Sequence, residues 1–183
     1  DKTGKYSTAW AYDILQDRKG RIWMASYQGG IFVMEKQRLV AAIAHAASGT
    51  ATCVADYHFS DKGQNALSGL HVGQMVLDGK GMIWASSHDH LDRIDPYTMR
   101  VAHIGGNDAI NYLMASGNGN VWVGYNASVK CYMVNLPMKG KEVDSKEWKI
   151  GDKVVSMCDV EGNIWVAAGN ACCVLDPQGN SFR

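Results

Sequence analysis

Four copies of one sequence pattern divide this chain, and the repetition constrains its fold more than any other feature. Each copy has a short apolar segment, a polar turn that ends in Gly, one further residue, and then Ile or Val followed by Trp and a run of small residues. Intervals of 61, 38 and 43 residues separate the four tryptophans, which are Trp23, Trp84, Trp122 and Trp165. A nearly fixed period indicates stacked structural units rather than one irregular core.

The period is typical of a propeller blade, in which four antiparallel strands occupy about 40 to 50 residues. Helical repeats of similar length need long stretches of 3.6-residue periodicity, and the sequence lacks them. The first interval carries roughly twenty additional residues, which we place in the Ala-rich segment Lys36–Thr52. We interpret this segment as a short helix or a loop between two outer strands.

We therefore predict an all-β fold: a single partial β-propeller domain, residues 1–183, with about four four-stranded antiparallel blades. The predicted blades cover about residues 6–60 (with the insertion 36–52), 70–104, 109–150 and 154–183, the last of them incomplete. An open arc leaves uncovered sheet faces at both ends. Either the remaining blades of a larger propeller or further copies of this chain should cover those faces.

The turn before each Trp has a physical explanation. In Asp17–Gly20, Asp78–Gly81 and Asp159–Gly162, the Asp carboxylate can accept a backbone N–H, and the Gly supplies a positive φ. Ser116–Gly119 keeps this geometry with weaker chemistry. The tryptophans are predicted to pack between blades. The residues assigned to this structural repeat are Asp17, Gly20, Trp23, Asp78, Gly81, Trp84, Gly119, Trp122, Asp159, Gly162 and Trp165.

Composition restricts the partners. Eighteen Lys and Arg balance eighteen Asp and Glu, so the basic surface of a nucleic-acid-binding protein is missing. The longest nearly apolar stretch, Leu39–Ala47, is about half the length of a membrane-spanning helix. The chain begins at Asp1 with no signal-peptide pattern after it, which suggests a piece processed or excised from a longer protein.

The five cysteines show no metal-ligand spacing and no paired framework. Four of them lie in apolar runs, where we predict small buried hydrophobic residues. The adjacent Cys172 and Cys173 should point to opposite faces of a strand.

A binding surface is expected on the face opposite the Asp-containing turns. In a four-stranded blade the second and fourth connections emerge on that face, and the second turns differ among the four repeats. Tyr and Asn suit sugars because they offer an apolar face and paired donors and acceptors, although both are also ordinary residues of solvent-facing turns. The candidate ligand-binding residues are Tyr27, Gln28, His88, Asp89, His90, Tyr125, Asn126 and Asn170.

Catalytic and metal motifs are missing from the sequence. It has no G-x-S-x-G elbow, no H-E-x-x-H, no P-loop and no G-x-G-x-x-G after a strand. The local cluster His88, Asp89, His90 and Asp92 could bind a metal only if its turn folded back, since alternation along a strand separates these side chains. We predict no catalytic residues, no metal and no cofactor.

The pattern D-x-x-G-x-[IV]-W-x-[AG]-[ST], followed by G-G-[IL], resembles the two-component regulator propeller repeat. This repeat occurs in the extracytoplasmic sensor regions of hybrid two-component systems of gut Bacteroidetes. The first copy, Asp17–Ile31, matches it at every position, and His58–Gly73 is similar to the family's link between blades. In the later copies Gly-Gly becomes Asp89-His90, Ala127-Ser128 and Asn170-Ala171, and each of those turns is one residue shorter.

The resemblance implies a non-catalytic periplasmic sensor that recognises a glycan fragment and passes the signal to a histidine kinase in the parent protein. The implied partners are the remaining blades of the ectodomain, a second copy of the chain or of the parent, and an oligosaccharide. Two alternatives stay open at this stage. A propeller enzyme such as a lyase would use His71 or His88, and a protein-interaction propeller of the WD-repeat class would need the Trp-Asp dipeptide that this chain lacks.

Overall fold

The computed structural model describes residues 10–46, 55–106, 108–135 and 143–176. These residues form fifteen strands and one helix. In chain order they are β1 (Ala11–Gln16), β2 (Ile22–Ser26), β3 (Gly30–Met34), α1 (Lys36–Ala46), β4 (Tyr57–Phe59), β5 (Val72–Leu77), β6 (Ile83–Ser87), β7 (His90–Asp95), β8 (Arg100–Gly106), β9 (Tyr112–Ala115), β10 (Val121–Gly124), β11 (Ser128–Tyr132), β12 (Ser145–Lys149), β13 (Val154–Val160), β14 (Asn163–Ala168) and β15 (Ala171–Leu175).

The strands form four antiparallel sheets in which each strand pairs with its neighbour in sequence. The orders are β1-β2-β3-β4, β5-β6-β7-β8 and β9-β10-β11-β12, and within the described residues the last sheet is β13-β14-β15. The first strands of consecutive sheets, β1, β5, β9 and β13, contact one another and form the inner edge of the arc. The predicted partial β-propeller is confirmed, and we refer to the sheets as blades 1 to 4.

Apolar side chains fill the space between consecutive blades. Trp23 packs with Val72 and Ile83 of blade 2, and Trp84 packs with Leu113 of blade 3. Trp122 lies in the corresponding cluster between blades 3 and 4. These three tryptophans are fully buried, so each of them faces the next blade, as the repeat predicted.

The fourth tryptophan differs from the prediction. Trp165 keeps 43% of its surface exposed, because no described strand covers that face of blade 4. At the other end of the arc, Phe32 and Met34 are buried on β3, the third strand of blade 1, whereas Ile14 on the inner strand is exposed. The open face of the arc is therefore mainly that of blade 4.

The insertion between β3 and β4 contains helix α1, so of the two forms considered from the sequence, a short helix or a loop, the structure has a helix over Lys36–Ala46. Its sequence, KQRLVAAIAHA, consists mainly of good helix formers and has no Gly or Pro. Asp56 fixes its start, because one carboxylate oxygen accepts the Glu35 N–H and the other pairs with Arg38. The rest of the predicted insertion, residues 47–52, lies outside the described residues.

The Asp of the first two turns binds the Trp that follows it. Asp17 Oδ1 accepts the backbone N–H groups of Lys19 and Arg21, both at 2.9 Å, while Oδ2 accepts Trp23 Nε1 at 2.9 Å. Asp78 makes the same three bonds at 2.8 to 2.9 Å. In blade 3 the Ser116 hydroxyl takes over this role and accepts Trp122 Nε1 at 3.2 Å. One short side chain thus fixes both the turn and the buried indole.

The fourth turn does not follow this pattern. Strand β13 continues through Val160, and only Glu161 and Gly162 form the turn, both with positive φ. Asp159 consequently pairs with Ile164 on the face toward blade 3, where its Oδ2 accepts the Gly117 N–H at 2.7 Å. The prediction for Asp159 is confirmed in part: its Oδ1 accepts the Gly162 N–H at 2.9 Å and Gly162 has a positive φ. The predicted turn length is wrong, because the chain forms a two-residue hairpin here instead of the four-residue turn.

The bonds of Asp17 make stability depend on pH. Burial opposes ionisation of its carboxyl, but the hydrogen bonds from Trp23 and Arg21, together with the Arg21 charge, outweigh burial and lower the pKa of Asp17. A lowered folded-state pKa gives stability that is complete above the unfolded value of about 3.9 and is lost as the pH falls through the folded value.

We expect Asp17→Asn to destabilise the fold at neutral pH by about 1 to 3 kcal/mol, the cost of impairing a buried charged acceptor. Urea unfolding between neutral and strongly acidic pH measures the difference from wild type. That difference should shrink as the pH falls. The exposed residue Asp61 provides the control, Asp61→Asn, and a pH-independent loss for Asp17→Asn would contradict the assignment.

The cysteines follow the prediction only in part. Cys131 is buried, and burial raises the pKa of its thiol to about 12. Cys158 and Cys172 are exposed, contrary to the prediction, because both lie on the open face of blade 4. Cys173 packs against the cluster between blades 3 and 4, so the adjacent pair does point to opposite faces. Cys53 lies outside the described residues.

Candidate functional site

The propeller has two faces that carry different connections. On one face, the Nζ atom of Lys19, in the first Asp turn, lies 4.3 Å from the ring centre of Tyr97 in the β7–β8 turn. On the other face, the second turns meet the connections into the next blade: Gly30 N donates to Leu70 O at 3.0 Å, and Ile110 N donates to His88 O at 2.9 Å. We call this second face the loop face.

Five aromatic side chains meet on the loop face at the inner edge of blades 1 and 2. Tyr27 lies at the centre, with ring centroids 5.6 Å from Trp10, 5.8 Å from Tyr12 and 4.5 Å from His71. His71 also stacks on Tyr12 at 5.6 Å and lies 6.4 Å from His88. We call this group, Trp10, Tyr12, Tyr27, His71 and His88, the aromatic platform.

A bulge in β1 gives the platform one of its rings. Ala11 pairs with Ser26 and Asp13 pairs with Ala25, so Tyr12 is an additional residue without a partner in the ladder. Bulges of this kind redirect a side chain away from the regular alternation. Asp13, the next residue, fixes the strand to blade 2 because its Oδ2 accepts the Met75 N–H at 2.7 Å.

The platform is open to solvent. Trp10 is 64% exposed and Tyr12 is 47% exposed, which is unusual for large aromatic side chains beside a well-packed core. Tyr27 meets Tyr12 and His71 edge-on, at interplanar angles of 86° and 77°, whereas His71 stacks on Tyr12 at 26°. The exposed rings of Trp10 and Tyr12 offer apolar faces that can stack against the apolar face of a sugar ring.

A buried carboxylate holds the segment that carries His71. Asp92 is fully buried and accepts the Ser68 N–H at 2.8 Å, the Ser68 hydroxyl at 2.6 Å and His103 Nδ1 at 2.7 Å. Ser68 Oγ also lies 2.8 Å from the same Nδ1. In a hydrolase triad the serine and the acid contact different nitrogens of the histidine, so this group positions the chain and does not activate a nucleophile.

The structure brings together only some of the candidate residues predicted from sequence. Tyr27 and His88 belong to the platform, and Gln28 sits beside Tyr27 with its N–H directed at Leu70 O. Asp89 and His90 pair with each other, with Nδ1 of His90 2.6 Å from Asp89 Oδ1. This hydrogen bond from His90 is the main reason why the pKa of Asp89 is lowered.

The other three candidates lie away from the platform. Asn126 donates to Asp108 at 3.0 Å and accepts from Asn111 at 3.1 Å, which fixes the connection between blades 2 and 3. Tyr125 lines a cleft in the same region. Asn170 lies in the β14–β15 turn of blade 4. Across the described ranges, no group of three or more His, Cys, Asp or Glu side chains could hold a metal ion.

Sequence reasoning missed Trp10 and Tyr12. Both precede the repeated pattern, and the regular alternation of a strand would have directed Tyr12 elsewhere. The available signal was the pair of aromatic residues at the start of an inner strand, next to the divergent turn that contains Tyr27. His71 entered only as a candidate for an enzyme.

Comparisons with known proteins agree with this description. The family model "Two component regulator propeller" matches residues 5–28. The extracellular domain of BT4673 from B. thetaiotaomicron, described as a hybrid two component system, is 27% identical over 100% of this chain, with a TM-score of 0.80. A second structure of that domain, described as a one component system, is 27% identical over 97% of this chain, with a TM-score of 0.78. No curated protein matches the sequence.

More distant structures share the fold alone. Virginiamycin B lyase from Staphylococcus aureus is 12% identical over 94% of this chain and 54% of its own, with a TM-score of 0.65. This chain spans only 24% and 23% of the two BT4673 ectodomain structures. No helix among the described residues has the length and apolar character to cross a membrane.

Proposed function

We propose that this chain, which carries the two-component regulator propeller repeat and resembles the ectodomains of hybrid two-component systems, is a non-catalytic part of a periplasmic sensor. Its signal is a glycan fragment, and the parent protein relays the signal to a histidine kinase. The similarity to the BT4673 extracellular domain supports the sensor class and the extracytoplasmic location. The aromatic platform is the observation that supports a sugar ligand.

The platform has the features of a sugar-binding surface. Three aromatic rings come from blade 1, and two imidazoles come from the start and the second turn of blade 2. The rings supply stacking, while the Tyr hydroxyls and imidazole nitrogens can exchange hydrogen bonds with sugar hydroxyls. Short connections on a rigid scaffold hold these groups in place, so little conformational entropy is lost on binding.

Signalling requires that the ligand binds one arrangement of the parent more tightly than another. The inner end of blade 1 and the link into blade 2 both contribute to the platform. Trp10 precedes the first strand and is 64% exposed, so it is accessible to a ligand that contacts both segments. We propose that contacts on Trp10 couple the ligand to the rest of the ectodomain, and that further blades cover the open face of blade 4.

Binding of defined oligosaccharides tests this function. We expect the fluorescence of the exposed Trp10 to change when a recognised oligosaccharide is added from a panel of xylo-, arabino-, galacto- and chondroitin-derived fragments. Trp10→Ala should weaken that binding about tenfold, equivalent to roughly 1.4 kcal/mol of lost stacking and burial. Isothermal titration of wild type and variant provides the affinities.

Tyr97→Ala is the matched control, since Tyr97 is also an exposed aromatic residue but lies on the opposite face. It should leave the affinity unchanged. Chromatography of the same mixtures should show every oligosaccharide intact. Cleavage products would support the lyase alternative, and equal affinities for Trp10→Ala and wild type would place the ligand elsewhere.

A further inference from the structure

A cleft separates blades 2 and 3 on the outer part of the loop face. Its volume is about 340 Å³, within the range of about 300 to 1,000 Å³ found for small-molecule sites. Gly105 and Asp108 form the side toward blade 2, and Tyr125, Lys130, Glu147 and Lys149 form the side toward blade 3. We call it the interblade cleft; it shares no residue with the aromatic platform.

The side chains that line the interblade cleft include equal numbers of positive and negative charges. Lys130 lies directly opposite Glu147 in the β11–β12 pairing, and Lys149 Nζ donates to Glu147 Oε1 at 2.7 Å. Hydrogen bonds from Lys149 and Ser128 lower the pKa of Glu147, so this carboxylate is ionised. Asp108 brings a second carboxylate. Two Lys and two carboxylate side chains therefore line the cleft, with the Lys149–Glu147 pair at its exposed rim.

Neutral hydroxyl groups complete the lining. Burial, the neighbouring Tyr132, and the negative charges of Glu147 and Asp108 raise the pKa of Tyr125 and keep its hydroxyl protonated. Gly105 leaves room beside the Tyr132 hydroxyl, since a Cβ at this position would lie 3.7 Å from that oxygen.

We infer that the interblade cleft binds a neutral sugar ring, as a second site in addition to the aromatic platform. An anion would meet Glu147 and Asp108, and a cation would meet Lys130 and Lys149. A neutral hydroxyl-rich ligand avoids both penalties, because each hydroxyl can donate to a carboxylate or accept from an ammonium group. The aromatic rings of Tyr125 and Tyr132 lie beside these groups and can cover the apolar face of the ring.

Saturation-transfer NMR on the full chain tests this site with neutral monosaccharides: D-xylose, D-galactose and L-arabinose. D-Galacturonate and D-glucosamine are the anionic and cationic sugars for comparison. We expect transfer to at least one neutral sugar and weaker transfer to both charged sugars. Glu147→Gln and Tyr125→Phe should each weaken binding about tenfold, because each removes a hydrogen-bonding group that the ligand uses.

Glu161→Gln is the matched control, since Glu161 is an exposed glutamate in the β13–β14 turn. It should bind the sugar as wild type does, and urea unfolding should show that all three variants are folded. Two results would overturn the inference: no transfer to any neutral sugar, or stronger transfer to D-galacturonate or D-glucosamine. Binding that survives Glu147→Gln and Tyr125→Phe but is lost in Trp10→Ala belongs to the platform and also overturns it. The inference about the interblade cleft can be wrong while the proposed function is right, and the proposed function can be wrong while the cleft binds a sugar.

Discussion

Trp84→Ala is expected to lower the free energy of unfolding by roughly 3 to 5 kcal/mol, the cost of deleting a large buried aromatic side chain. Trp84 is fully buried between blades 2 and 3, where its ring centroid lies 5.2 Å from that of Tyr132. Its Nε1 donates to Asp78 Oδ2 at 2.8 Å. The variant therefore loses apolar contacts and leaves the buried Asp78 carboxylate with one partner fewer.

Trp165→Ala provides a control from within the same repeat. Trp165 occupies the same position in the sequence pattern but keeps 43% of its surface exposed. Its removal creates no enclosed cavity within one chain, so for the dissociated chain, at concentrations well below its dissociation constant, the loss of stability should be well below that of Trp84→Ala. Urea unfolding of both variants, followed by far-UV circular dichroism, measures the difference. Equal losses would show that Trp84 does not pack between two blades.

The contrast between these two tryptophans shows what the sequence can predict. In the first two blades the Asp lies six residues before the Trp, and that short spacing is enough for one carboxylate to bind both the turn and the indole. Local geometry of this kind is visible in the sequence. The Trp positions likewise predict the strands and their order, because each blade buries its Trp against the next one.

The fourth turn shows where such reasoning stops. Asp159 also lies six residues before Trp165, yet the strands pair one residue out of the earlier register and the turn contains two residues instead of four. The spacing is the same in both cases, so it does not distinguish the two turns. The difference arises from strand pairing, in which Asp159 is directed toward Gly117 of blade 3.

The candidate site depends even more on tertiary structure. Tyr12 reaches the platform because of a bulge, and His71 reaches it because Asp92 holds the preceding segment through Ser68. Neither contact follows from local sequence. The divergent second turns did indicate Tyr27 and His88, since these residues lie on the connections of the loop face, but the pattern gave no reason to group them with Trp10.

The open face of blade 4 should make the isolated chain self-associate. Trp165, Cys158, Val160 and Cys172 line an exposed and mainly apolar surface on this face. Exposed apolar surface of this kind is covered by a partner when one is available. We expect a second copy to take that place in the isolated chain, and we propose that a further blade does so in the parent protein.

Trp165→Asp should weaken this association roughly 30-fold, because a central aromatic residue of an interface contributes about 2 kcal/mol or more and an ionised carboxylate resists burial. Sedimentation equilibrium of wild type and variant measures the dissociation constants. Val40→Asp, at a residue of α1 that is 56% exposed, introduces the same charge at another exposed apolar position and should leave association unchanged. A monomeric wild-type chain, or equal effects of the two substitutions, would show that the face of blade 4 does not bind a second copy. Trp165 holds the repeat position at which Trp23, Trp84 and Trp122 pack between blades. Weakening by Trp165→Asp alone would show that this same position forms the contact between separate chains.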